Sequence, residues 1–239
     1  MIRFLIVCLT VIGFLVLAIP VALVEWVIGK FNLDLKSRSS LNIVKGVFSL
    51  ILWETGVQIT VLGEENVPKD TPVLYVANHR SFFDILVTYV RVPRPTGYIA
   101  KKEMEKIPLL STWMRYLHCL FMDRSDIKKG LQTILDGVEK LKNGVSICIF
   151  PEGTRSKNGN VMGEWHGGSF KCAVKAKADI LPFCVIDTYK VLDQKGSGKM
   201  SCQLHYLKPI PYEEYAGMKT TEIAAMVKAR IQACIDQNT

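Results

Sequence analysis

The stretch Val73-Leu-Tyr-Val-Ala-Asn-His-Arg-Ser-Phe-Phe-Asp84 decides how this chain is read. Five apolar residues that favour β structure run directly into a polar loop, and an apolar helical pattern then continues to Val90. A short apolar run bounded in this way is the pattern of a strand covered on both faces. Ser81 is predicted as the helix N-cap, with Asp84 three residues on as the capping-box acid. Similar runs recur at Val57–Leu62, Gly97–Ala100, Cys119–Met122, Val145–Phe150, Ile180–Ile186 and Ser201–Leu207. Between some of them lie helical patterns: one capped by Asp126 and ending at Asn143-Gly144, one over Gly168–Ala178, and a last one starting at Thr220 or Thr221. Lys190–Lys199 is polar and glycine-containing and reads as a mobile loop. Strands alternating with helices predict an α/β domain with a largely covered sheet.

The chain has 239 residues, 30 Lys+Arg against 22 Asp+Glu, a net charge of +8, 49% hydrophobic residues and a mean hydropathy of +0.20. This excludes a large multidomain enzyme, a disordered chain and a collagen-like repeat. The basic balance points to an anionic partner: phosphate, nucleic acid or a lipid surface. Seven cysteines lie far apart with no CxxC, as buried free thiols in a reducing compartment do. The apolar excess is concentrated at the start. Phe4 to Val24 carries no charge and covers about 31 Å as a helix, enough to span a bilayer. A cleaved signal is the alternative, but no small-x-small site precedes Glu25. Lys30, Lys36, Arg38 and Lys45 follow, against Asp34, and place the remainder on the cytoplasmic side. Leu41–Trp53 is a second apolar stretch with one narrow polar stripe, too short to span; it reads as an interfacial or re-entrant helix, or as a buried helix of the domain. The predicted organisation is a membrane segment over 1–56 and a globular domain over 57–239.

Two loops after apolar runs carry candidate chemistry. In Asn78–Asp84, a carboxylate in the first helical turn can fold back onto His79, fix its tautomer and leave the other ring nitrogen as a general base. Ser81 is the only nearby hydroxyl, and it serves better as a cap than as a nucleophile. In Phe150-Pro-Glu-Gly-Thr-Arg-Ser156, Arg155 can take an anion, and Glu152 can orient that arginine or bind a substrate hydroxyl. The spacing is not that of a phosphate-binding GxxxxGK loop, and there is no HExxH or clustered His/Cys/Asp set for a metal. His118, His166 and His205 have no partner pattern.

Taken together, His79-Arg-Ser-Phe-Phe-Asp84, Leu120-Phe-Met-Asp-Arg124, Phe150–Ser156 and Ile180-Leu-Pro-Phe-Cys-Val-Ile186 resemble, in order and spacing, the four sequence blocks of the glycerolipid acyltransferases. Lys101-Lys-Glu-Met-Glu-Lys-Ile-Pro108 is similar to the family's segment between the first two blocks. Cys119 stands where the second block usually begins with glycine, and Pro182 stands alone where the fourth often has a further proline. The resemblance implies the family's mixed sheet flanked by helices. It also implies transfer of a fatty acyl group from a thioester, acyl-CoA or acyl-carrier protein, to the sn-2 hydroxyl of 1-acyl-glycerol-3-phosphate, giving phosphatidic acid. His79 would be the base and Asp84 its orienter. Arg124, Arg155 and Lys101 would bind the acceptor phosphate, with Asn78, Glu152, Gly153, Thr154 and Pro182 binding substrate or supporting the site. It implies no metal or organic cofactor. The partners are the lysolipid, the thioester donor and the bilayer, with no nucleic acid, and the location is the inner face of the cytoplasmic membrane. A related enzyme acting on glycerol-3-phosphate or another lysolipid is the first alternative. A non-catalytic lipid- or nucleic-acid-binding module is the second.

Overall fold

The computed structural model describes residues 2–156, 158–193 and 200–239. Three helices lead: α1 (Ile2–Leu17), α2 (Ile19–Phe31) and α3 (Leu33–Thr55). The rest runs β1 (Gln58–Leu62), β2 (Leu74–Ala77), α4 (Phe83–Tyr89), β3 (Thr96–Lys101), α5 (Pro108–Tyr116), β4 (Leu120–Met122), α6 (Ile127–Lys142) and β5 (Ser146–Ile149). It closes with α7 (Lys171–Ala176), β6 (Ile180–Ile186), α8 (Thr188–Asp193), β7 (Ser201–Tyr206), α9 (Tyr212–Tyr215) and α10 (Thr220–Asn238). All seven predicted strands form, in one sheet of order β1-β7-β6-β2-β5-β3-β4. Strands β6, β2, β5, β3 and β4 are mutually parallel; β7 is antiparallel to β6, and β1 follows β7.

Both faces are covered, which is why the central strands carry apolar residues throughout. Tyr75 and Ala77 of β2 join one core with Leu41, Val44, Phe83, Val87 and Trp113; Leu74 and Val76 join the other with Ile134, Leu141, Ile223 and Val227. Asp126 caps α6 by accepting from the N–H groups of Lys128 and Lys129, as its position predicted. Helix α4 starts later than expected, at Phe83. The Ser81 hydroxyl accepts from the Phe83 N–H at 3.2 Å while Asp84 turns back on the loop. The Gly168–Ala178 pattern splits into a 3-10 turn, Gly167–Phe170, and the short α7. Part of the expected loop at Lys190–Lys199 is the end of α8, and 194–199 lie outside the described residues.

The single helix expected over Phe4–Val24 is broken. Two limbs, Phe4–Leu17 and Ile19–Phe31, meet at 54°, and no single described helix is long and apolar enough to cross a membrane. Pro20 explains the break: it lacks an N–H and its ring crowds the carbonyl one turn back. The limbs then dock on the domain. Phe14 packs on Trp113 with ring centroids 5.1 Å apart, Tyr116 Oη donates to the Ala22 carbonyl, and Thr10 Oγ1 donates to Glu54. Glu25 is buried and accepts from the Ser39 and Ser40 hydroxyls of α3. The 41–53 stretch is the second half of a longer helix, α3, with Leu41, Val44 and Ile51 buried and Trp53 79% exposed.

Candidate active site

The parallel strands end together at one rim of the sheet, where α/β folds place ligands. Asn78 and His79 leave β2 there, Phe150 to Gly153 leave β5, Asp123 and Arg124 leave β4, and Thr188 follows β6. Asn78 is buried and clamps β6: its Nδ2 donates to the Val185 carbonyl and its Oδ1 accepts from the Val185 N–H. This fixes the start of the loop that carries His79.

His79 Nδ1 lies 2.7 Å from Asp84 Oδ2. The same oxygen accepts from the backbone N–H groups of Arg80 at 2.6 Å and Ser81 at 2.9 Å, and Oδ1 accepts from Thr188 Oγ1. Asp84 is fully buried, so every lone-pair direction it uses is spent on a fixed donor. The His79 ring stacks on Phe150 at 4.2 Å and is only 15% exposed, which holds it between a carboxylate and an aromatic face. Its Nε2 has no protein partner among the described residues.

Glu152 is buried and acts on the backbone. One oxygen accepts from the His79 N–H at 2.9 Å and the other from the Gly163 N–H at 2.7 Å. It therefore does not orient Arg155, which lays its guanidinium over the Phe82 ring at 4.0 Å. Gly153 sits at φ +68°, a left-handed conformation that favours glycine, and the Arg124 guanidinium lies against it, 3.1 Å from where a Cβ would stand. Its own N–H is used inside the turn, on the Phe150 carbonyl. Burial lowers the Arg124 pKa, with Glu103 opposing, but a guanidinium stays charged throughout the physiological range. Lys101 is exposed at the end of β3, opposite Met122; its neighbour Lys102 is the one that binds Asp123, at 2.6 Å. Thr154 is exposed, with its hydroxyl on the Arg155 carbonyl. Pro182 is buried inside the sheet opposite Val76 and is not among the residues that line the cavity described below.

A cavity of about 410 Å³ opens beside this cluster. Arg124, Gly153 and Phe150 form one end, and Ile99, Met122, Leu131 and Ile134 line an apolar floor. Phe150 thus touches both the cavity and the histidine. The structure brings together His79, Asp84, Glu152, Gly153 and Arg124, with Arg155 on the outer side of the same loop. Two contributors were not legible in the sequence. Thr188 comes from a distant strand end, and Arg80 is a buried neighbour of His79 that has no local partner pattern.

The acyltransferase family model matches residues 58–186. A probable 1-acyl-sn-glycerol-3-phosphate acyltransferase of Mycoplasma pneumoniae is 31% identical over 151 residues, covering 62% of this chain and 56% of the relative. The 1-acyl-sn-glycerol-3-phosphate acyltransferase of Saccharomyces cerevisiae is 33% identical over 177 residues, covering 72% and 58%. The chain thus spans less than two thirds of the length of these curated relatives. The crystal structure of the 1-acyl-sn-glycerophosphate acyltransferase PlsC from Thermotoga maritima superposes with a TM-score of 0.80 at 25% identity, over 99% of this chain and 96% of that one. With the matched segment running from β1 to the end of β6 and holding every residue of the histidine–carboxylate loop, this chain belongs to the acyltransferase family.

Proposed function

We propose that this protein transfers a fatty acyl group from a thioester to the free hydroxyl of 1-acyl-glycerol-3-phosphate, making phosphatidic acid. The observation that carries the reading is the 2.7 Å contact between His79 Nδ1 and a fully buried Asp84. That contact fixes the tautomer and leaves Nε2 to accept a proton. The acceptor hydroxyl attacks the thioester carbonyl, a C–O bond forms, and Nε2 takes the proton. Asp84 holds the imidazolium. The tetrahedral oxyanion then collapses, the C–S bond breaks, and the thiolate leaves or takes the proton back. No acyl-enzyme is needed, because the donor is already activated. The remaining backbone donors of the turn, at Thr154 and Arg155, are the proposed oxyanion contacts. Arg124, Arg155 and Lys101 take the acceptor phosphate, and the apolar floor of the cavity suits an acyl chain. The exposed apolar faces of α1 and α2 bind the bilayer from which the lysolipid is drawn.

The test is labelled-acyl transfer by wild type and His79→Ala across a panel of acceptors and donors. Turnover falls about 10²–10⁴-fold in the variant while lysophosphatidate binding persists. Equal turnover by the variant refutes the base. Better turnover of a phosphate-free acceptor by the wild type refutes the acceptor assignment.

A further inference from the structure

The seven cysteines are scattered through the sequence, but the fold brings two of them into contact. Cys184 of β6 and Cys234 of α10 stand 50 residues apart in the chain. Their sulfurs lie 3.2 Å apart, inside van der Waals contact, with the Cys184 S–H donating to Cys234. Cys184 is fully buried, in the core with Ile223, Val227, Ile231 and Ile235. Cys234 sits in the last two turns of α10 and is only partly buried, so a solute reaches it first. The Asn238 Nδ2 group stands 3.9 Å from its sulfur as a second donor. The S–H bond, and then burial, push the Cys184 thiol upward; the same bond lowers Cys234 against a smaller opposing effect of burial. The two thiols are thus unlike. One is accessible and receives hydrogen bonds, which favours its thiolate, and the other is buried and holds its proton. An accessible thiol poised beside a second sulfur is the arrangement in which oxidation ends in a disulfide. Cys172 differs, since its S–H goes to the Ile134 carbonyl.

We propose that Cys234 and Cys184 form a reversible oxidation site that takes a hydroperoxide, with Cys234 the attacking thiol and Cys184 the resolving one. The Cys234 sulfur attacks one peroxide oxygen: an S–O bond forms, the O–O bond breaks, and the departing oxygen keeps the electron pair and takes a proton. Cys234 is then a sulfenic acid, oxidised by two electrons, and the peroxide is reduced to water or an alcohol. Cys184 attacks that sulfur next. The S–S bond forms, the S–O bond breaks, and the hydroxyl leaves as water with the Cys184 proton. A dithiol reverses the step by thiol–disulfide exchange. The bond ties α10 to β6, the strand in which Val185 carries both hydrogen bonds of Asn78 and after which Thr188 holds Asp84. No step uses the histidine, so the site stands apart from the acyltransfer reading.

The test treats the reduced full chain with hydrogen peroxide, then counts free thiols by alkylation and maps linked peptides by mass spectrometry without reduction. In folded wild type the thiol count falls from seven to five, the Cys184–Cys234 peptide dominates, and dithiothreitol restores all seven. Cys234→Ser keeps Cys184 as a free thiol at the same dose. Cys184→Ala stops Cys234 at the sulfenic acid, which dimedone captures. In urea the share of the Cys184–Cys234 peptide among all linked peptides falls several-fold, because the fold no longer holds the two sulfurs together. Oxidation of folded wild type confined to Cys8 and Cys119, the other partly buried thiols, overturns the proposal. So does a share in urea equal to that in the folded chain, or loss of the Cys184 thiol in Cys234→Ser. The wild-type and Cys234→Ser arms decide the matter even if Cys184→Ala fails to fold.

Discussion

Asp84 concentrates more of the site than any other residue. It faces His79 and the N–H groups of Arg80 and Ser81 in the loop before α4, and Thr188 at the start of α8. Its role beside His79 could be read from the five-residue spacing, because a short carboxylate in a first helical turn has few places to go. The Thr188 contact could not be read, since it depends on β2 and β6 lying side by side, a pairing that no local pattern encodes. Glu152 shows the converse. Its place beside Arg155 suggested an ion pair, but two unpaired backbone N–H groups lay closer to a buried carboxylate and took it. Arg155 is left exposed on Phe82, free to reach an anion. Arg155→Ala is therefore expected to raise KM for a phosphorylated acceptor about tenfold or more, with kcat changed less, since it loses a charge-assisted contact made in the ground state as well. Steady-state kinetics with acceptor and donor varied separately checks this; a rise in donor KM alone would remove Arg155 from the phosphate site.

At the scale of elements, the joint between α3 and the sheet turns on His118, which links α5 to β4. It adopts φ +61°, and its carbonyl lies so close to Gly97 that any side chain there would collide with it. Its Nε2 contacts Ser37 Oγ of α3 at 2.8 Å and its Nδ1 faces Lys140 of α6 at 3.4 Å. Burial first, then Lys140 and Lys36, lowers its pKa to about 4 from 6.5. The folded state thus binds fewer protons than the unfolded state between those values. Stability is intact above pH 6.5 and falls as pH drops towards 4, by up to about 3 kcal/mol. His118→Gln should flatten that part of the stability–pH curve in urea titrations; an unchanged slope would mean that carboxylates carry it instead. The sequence showed His118 as partnerless because its neighbours come from two distant helices, Lys36 and Ser37 from α3 and Lys140 from α6. The strands and the longer helices were legible, since burial on both faces and apolar spacing are local properties. The late start of α4 was not, because the cap serine and the acid were competing for the same loop.

For the whole molecule, the division at residue 56 is a division of composition more than of packing. Ala18, Leu41 and Val44 share a core with β2 and Trp113, so the leading helices are built onto the domain. The outward faces of α1 and α2 are apolar, with Leu5 at 59%, Leu9 at 61% and Leu23 at 62% exposure. Changing these three residues to serine is expected to lower co-sedimentation with anionic vesicles at least tenfold while leaving the melting temperature nearly unchanged, because none of them is in the core. Full retention on vesicles would assign the contact to another surface. The bend at Ala18 follows from the local chemistry of Pro20, whereas the docking of both limbs depends on Trp113 and Tyr116 far along the chain. The sheet order also sets a timetable. Gln58 of β1 finds its partner only at Ser201 of β7. On a ribosome adding 5–20 residues per second, β1 waits on the order of ten seconds for that partner. The greasy leading helices are out of the exit tunnel throughout that interval, before their own domain can cover them. Whatever surface they meet in that window, lipid or chaperone, meets them before the sheet is complete.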